Sequence, residues 1–171
     1  ITLLVFFSRG GRWGAWNDAS SVVLMLAMIP VALVLTLISL DVVTTLALVI
    51  GAIGIGAMLV FAVLQALLVA GRVTYDRWKG AVLATGAVVG VWYLLLAIST
   101  GSTALPDGLR LAAAVAGVGF IAVGIGFARG GQQHPLSQAA GLALLVASLV
   151  FQGWIGALLV GGSLTIPAGN A

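Results

Sequence analysis

Long apolar runs separated by short polar links make up almost the whole chain, and the links divide it into five segments. A run of about 18 or more apolar residues without internal charge reads as a membrane-spanning helix. The pattern therefore predicts an all-α integral membrane bundle. Five transmembrane helices are expected at about 21–40, 45–70, 80–98, 109–128 and 139–160. An interfacial amphipathic segment at 1–20 precedes them, and an uncharged tail at 161–171 follows.

Local signals refine this outline. Asn17, Asp18 or Ser20 can cap the first span. Pro30 lies inside that span and removes one backbone donor, which predicts a kink there. Asp41 marks the next turn. The second apolar run, Val42 to Gly71, exceeds what one bilayer needs, so tilt or an interfacial first turn must absorb the excess. Pro106 and Asp107 are suited to open the fourth helix. At the start, Ile1 to Phe7 is too short to cross, whereas Arg9, Arg12, Trp13 and Trp16 suit a segment lying at headgroup level. The chain opens on Ile1 rather than Met, so residues of a natural N-terminus are expected before it. Ile1 to Phe7 could then be the stub of a preceding span.

Composition agrees with a lipid environment: 62% of residues are hydrophobic, only 6% are charged, and mean hydropathy is +1.26. A soluble domain carries about 25% charged residues, and no polar stretch here is long enough to form one. The net charge is +3. The basic residues border the apolar runs instead of forming a stripe, so membrane lipids with anionic headgroups are the expected contact and nucleic acid is not.

Charge also predicts orientation. The N-terminal segment and the second and fourth loops share one side, and they hold six basic residues, Arg9, Arg12, Arg72, Arg77, Lys79 and Arg129. The first and third loops and the tail hold only Arg110. By the positive-inside rule the N-terminus is cytoplasmic and the C-terminus exported, in a multi-pass protein of the plasma (bacterial inner) membrane.

Glycine is the most informative residue inside the spans, at 24 positions in the whole chain. Helices in lipid gain little from hydrophobic burial against one another, so small residues at three- and four-residue spacing let their axes come close. Gly86, Gly90, Gly117, Gly124 and Gly153 are the leading packing positions, serving either this bundle or a neighbouring subunit. Polar side chains within the spans are few. Gln65, Tyr93 and Gln152 stand out, as interhelical glue or as the polar points of a pocket. Tyr75, Trp78, Trp92 and Tyr93 fit an aromatic belt near the span ends.

The usual chemistry is missing. With no Cys and no Glu, disulfides, thiolate sites and zincin motifs are excluded. His134 stands alone in a loop, and the GxG triplets lie inside apolar spans without a third glycine. No carboxylate or histidine lies within a predicted span to couple transport to protons. Nor does the chain carry the cysteines of quinone-reducing thiol enzymes or the membrane glutamate of small multidrug exporters. No metal, cofactor or catalytic residue is expected. The sequence favours a non-catalytic accessory or structural subunit that packs against other membrane protein subunits. The alternative is a small channel, permease or lipid-handling protein for a neutral or apolar solute. A reporter fused after Ala171 is expected to be active on the exported side; activity confined to the cytoplasm would overturn the topology.

Overall fold

A computed structural model describes residues 2–9, 13–39, 44–99 and 105–163. Among these, helices account for nearly everything: α1 (Thr2–Arg9), α2 (Trp13–Ser39), α3 (Thr44–Val69), α4 (Tyr75–Ser99), α5 (Asp107–Gly130) and α6 (Pro135–Val160). A short 3-10 turn, Gly131–Gln133, joins α5 to α6. Five of them, α2 to α6, are long and apolar enough to cross a membrane. In each, less than half of the most apolar stretch is buried inside the bundle. The outward surface is mostly Leu, Val and Ile, including Val23, Leu48, Val63, Leu111 and Leu149. Such a surface suits acyl chains, and the chain is a multi-spanning membrane protein.

The spans run up and down, each packed on its neighbour in sequence. α2 and α6 make at most marginal contact with each other, and α1 touches both. The end holding the start of α2 also holds the α3–α4 and α5–α6 links. It carries Arg9, Arg72, Arg77, Lys79 and Arg129. Arg12 and Asp41 lie outside the described residues, as does the tail beyond Ser163.

Three boundaries differ from the sequence expectation. α2 begins at Trp13, so Asn17, Asp18 and Ser20 are helical and do not cap it; the Ser20 and Ser21 hydroxyls instead donate to the Asn17 carbonyl, both at 2.9 Å. α4 begins at Tyr75, which turns the loop cluster Tyr75 to Lys79 into its first turn. α6 begins at Pro135, with the His134 ring accepting the Leu136 N–H at 3.2 Å. His134 is thus an N-cap that satisfies an otherwise orphaned helix donor, and Pro135 fits the first helical turn where its missing N–H costs nothing. α3 ends on Gly71 at φ 65°, where Arg72 N–H reaches back to the Leu67 carbonyl at 2.9 Å. That left-handed closure is why a glycine stands there.

Glycines set the helix separations. A Cβ on Gly90 would lie 2.7 Å from the Gly117 carbonyl oxygen, and one on Gly117 equally close to the Gly90 carbonyl. α4 and α5 therefore cross backbone to backbone. On the other side of α5, a Cβ on Gly119 would lie 2.9 Å from Leu144 Cβ, and one on Gly126 2.6 Å from the Ser137 nitrogen. Gly54 of α3 receives the Trp92 ring and Gly51 the Thr36 side chain. Arg110, at the opposite end, donates from Nε to the Ala97 carbonyl at 3.0 Å and pairs with Asp107 at 3.3 Å, tying the start of α5 to the last turn of α4.

Gly90→Leu or Gly117→Leu is expected to destabilise the bundle by about 3 kcal/mol or more, because backbone atoms block relief of the overlap. At Gly153 an added Cβ would meet nothing within 4 Å, so this position should accept Leu within about 0.5 kcal/mol. Thermal unfolding of the three variants in detergent checks this ranking.

Candidate functional site

Where the tight crossings stop, the bundle encloses space. A cavity of about 690 Å³ lies among α2 to α6, lined by residues of all five spans and by Phe6 of α1. Its walls follow from helix positions. Near the basic end stand Asn17, Asp18, Gln65, Tyr75, Lys79 and Gln132. Farther in come Met25, Phe61, Gly86, Phe120, Gly124 and Leu145, an apolar waist. Ser148 and Gln152 lie deepest on α6. From Pro135 to Gln152 the helix climbs about 25 Å at 1.5 Å per residue, so the cavity reaches well past the middle of a bilayer.

Tyr93 stands just behind the deep end, against the lining residues Phe120, Ser148 and Gln152. It is 2% exposed. Its ring meets Trp92 and Phe151 edge-on, with centroids 4.9 and 5.4 Å away, and stacks on Phe120 at 6.0 Å. The hydroxyl interacts with the side chains of Gln152 and Ser148 on α6 and approaches the Met28 sulfur at 3.9 Å. One tyrosine thereby links α2, α4, α5 and α6. The expectation of an interfacial belt at Trp92 and Tyr93 is corrected: both are core residues, because Gly54 leaves room for the indole against α3. Tyr75 and Trp78 are exposed at the basic end, where a belt would be.

Gln65 is in a different condition. It is 5% exposed, it lines the cavity, and its Oε1 has no hydrogen-bond partner among the described residues. A buried acceptor left open costs about 1–3 kcal/mol, more than a satisfied one returns. Of the three intramembrane polar candidates, Tyr93 and Gln152 answer each other at the deep end, and Gln65 Oε1 answers nothing among the described residues.

At the mouth, Asp18 takes a hydrogen bond from the Asn17 side chain. Asp18 and Lys79 line the same opening without an ion pair; the pair formed among the described residues is Arg110 with Asp107. Phe6 reaches over this end to stack on Phe127 at 6.4 Å. α1 therefore lies across the basic end of the opening. Arg9, Arg72, Arg77 and Arg129 are exposed around the rim and do not line the cavity. Among the described residues no three His, Cys, Asp or Glu side chains gather where a metal could sit.

The glycine candidates divide by role. Gly90 and Gly117 set the α4–α5 crossing, Gly86 and Gly124 line the cavity, and Gly153 faces outward with Gly156. Gly119 and Gly126, which hold α6 against α5, complete the set; their signal was small residues spaced along the fourth span. Comparison with protein-family models, curated proteins and solved structures finds no match to the chain.

Removing the partnered group and the unpartnered one should act in opposite directions. In lipid-stripped protein, Tyr93→Phe is expected to cost about 1 kcal/mol. Gln65→Leu should leave stability unchanged or raise it by about 1 kcal/mol. Unfolding temperatures of both variants against the parent chain decide the matter.

Proposed function

We propose that the chain takes a neutral, largely apolar molecule from the bilayer into its own helix bundle, as a lipid-handling or permease-type protein. The observation that carries this reading is the cavity of about 690 Å³ with its apolar waist and polar ends. Its volume falls in the range of about 300–1,000 Å³ typical of small-molecule sites, and its mostly apolar walls with a few placed polar groups fit the same description. The marginal contact between α2 and α6 supplies a side route from the lipid, while α1 lies over the aqueous end. The protein assists no bond-breaking step under this reading: the deep polar groups are amides and hydroxyls, which hold a ligand without acid–base chemistry. The basic end faces the cytoplasm in this proposal, as the positive-inside rule requires.

The accessory-subunit reading keeps one support. Gly153 and Gly156 face outward on α6 with nothing within 4 Å, so another membrane protein could approach there. Of its other glycines, Gly90 and Gly117 are occupied by each other within the chain, and Gly86 lines the cavity.

A cavity-filling substitution separates the two readings. A Cβ on Gly124 meets only the Leu83 carbonyl, at 3.7 Å, so a larger side chain can grow into the waist. Native mass spectrometry of the protein extracted in mild detergent is expected to show an apolar occupant near one per chain. Gly124→Phe should reduce that occupancy at least about tenfold with unfolding temperature held within a few degrees. Full occupancy in the variant, or stoichiometric recovery of an empty chain within a larger assembly, would reject the cavity as the functional site.

A further inference from the structure

We infer that the occupant carries a neutral hydroxyl group and that Gln65 is the residue that recognises it. The inference rests on the cavity being a ligand site and concerns what chemistry that site selects. Gln65 combines three properties: 5% exposure, a place in the cavity wall, and an Oε1 without any donor among the described residues. The deep polar groups already have an internal partner, since Ser148 and Gln152 each interact with the Tyr93 hydroxyl. Oε1 itself is covered, so a ligand's donor meets it when the amide turns toward the cavity, and the described residues bring it none.

Several donors could fill that role, and the surroundings discriminate among them. The amide can turn by 180°, which exchanges Oε1 for Nε2 at the same place. A hydroxyl both donates and accepts, so it satisfies Gln65 in either orientation, whereas an ester or ether only accepts. The rim carries Arg9, Arg72, Arg77 and Arg129 beside Lys79, against Asp18 and Asp76, so this end is net positive and repels an ammonium head. A carboxylate is drawn to that rim but, like an ester, brings no donor to Oε1. A neutral hydroxyl avoids the repulsion and supplies the donor.

Position fixes the arrangement of the occupant. Gln65 lies four residues from the end of α3, near the polar mouth, and the apolar waist extends from there toward the deep end. The hydroxyl therefore sits at the basic end with a single hydrocarbon chain running inward past Phe61, Gly86 and Phe120. A long-chain monoacylglycerol has this form: a small uncharged polyhydroxyl head and one tail.

The test uses the full chain in detergent and three probes of equal chain length: a monoacylglycerol, its fully O-methylated ether, and the corresponding fatty acid. Equilibrium dissociation constants are measured for each. The wild-type chain is expected to bind the monoacylglycerol about tenfold more tightly than the ether, the span of one buried hydrogen bond in lipid. Gln65→Leu should bring the two within about twofold of each other while leaving the ether's affinity in place; Gln65→Met serves if the Leu variant does not fold. Equal binding of ether and monoacylglycerol by the wild-type chain overturns the inference while leaving the ligand site standing, water being then the partner of Gln65. Preference for the fatty acid also overturns it, in favour of recognition by Lys79. Failure of all three probes to bind removes both the inference and the ligand site.

Discussion

The backbone contact between Gly90 and Gly117 is the constraint from which the rest of the bundle is laid out. In hydrocarbon no helix gains by hiding apolar surface from its solvent, so association depends on how closely two axes can come. At this crossing each glycine faces the other's carbonyl oxygen, and any side chain would hold the helices apart. α5 repeats the device on its second face through Gly119 and Gly126, so α4, α5 and α6 form a tight wall. Side chains bridge the remaining distances, Trp92 to Gly54 and Thr36 to Gly51, and these draw in α3 and α2. No comparable approach joins α2 to α6 among the described residues. The cavity is what remains where no such crossing draws the helices together.

Polar groups inside this frame follow two rules. Around Tyr93 they meet one another through its hydroxyl, and the tyrosine serves as a four-helix joint whose ring and hydroxyl both find partners. At Gln65 the amide oxygen is kept in an apolar wall without return from the residues around it. A low dielectric strengthens the first arrangement and penalises the second. Their coexistence separates residues whose polar groups hold the protein together from one whose amide oxygen does not.

Much of this was legible in the sequence. The five apolar runs gave the number of spans, since hydropathy over some 20 residues is a direct reading of the bilayer's thickness. Gln65, Tyr93 and Gln152 were visible because polar side chains in such runs are rare, and all three stand in the cavity wall or just behind it. Helix starts were less legible. Asn17, Asp18 and Ser20 look like caps, yet the helix continues through them because Ser20 and Ser21 return their hydroxyls to the preceding turn. Tyr75 to Lys79 looks like a loop because charge is dense there, although charge is compatible with the first turn of a helix at the membrane surface. The division of roles among the glycines was not legible at all. Gly90 and Gly153 both stand three or four residues from another glycine, and only the fold decides which one meets a backbone and which one meets lipid.

The serial packing of the spans has a consequence for assembly. Each extensive interface joins helices adjacent in sequence, so every hairpin can form as soon as its second helix enters the membrane, with short loops to close and little chain entropy lost. The exception is α1. Its contact with α6, and the stacking of Phe6 on Phe127, join segments separated by most of the chain. α1 is synthesised before α5 and α6, so its contacts with them close last. Until that contact closes, the aqueous end of the cavity lacks the cover that Phe6 gives it.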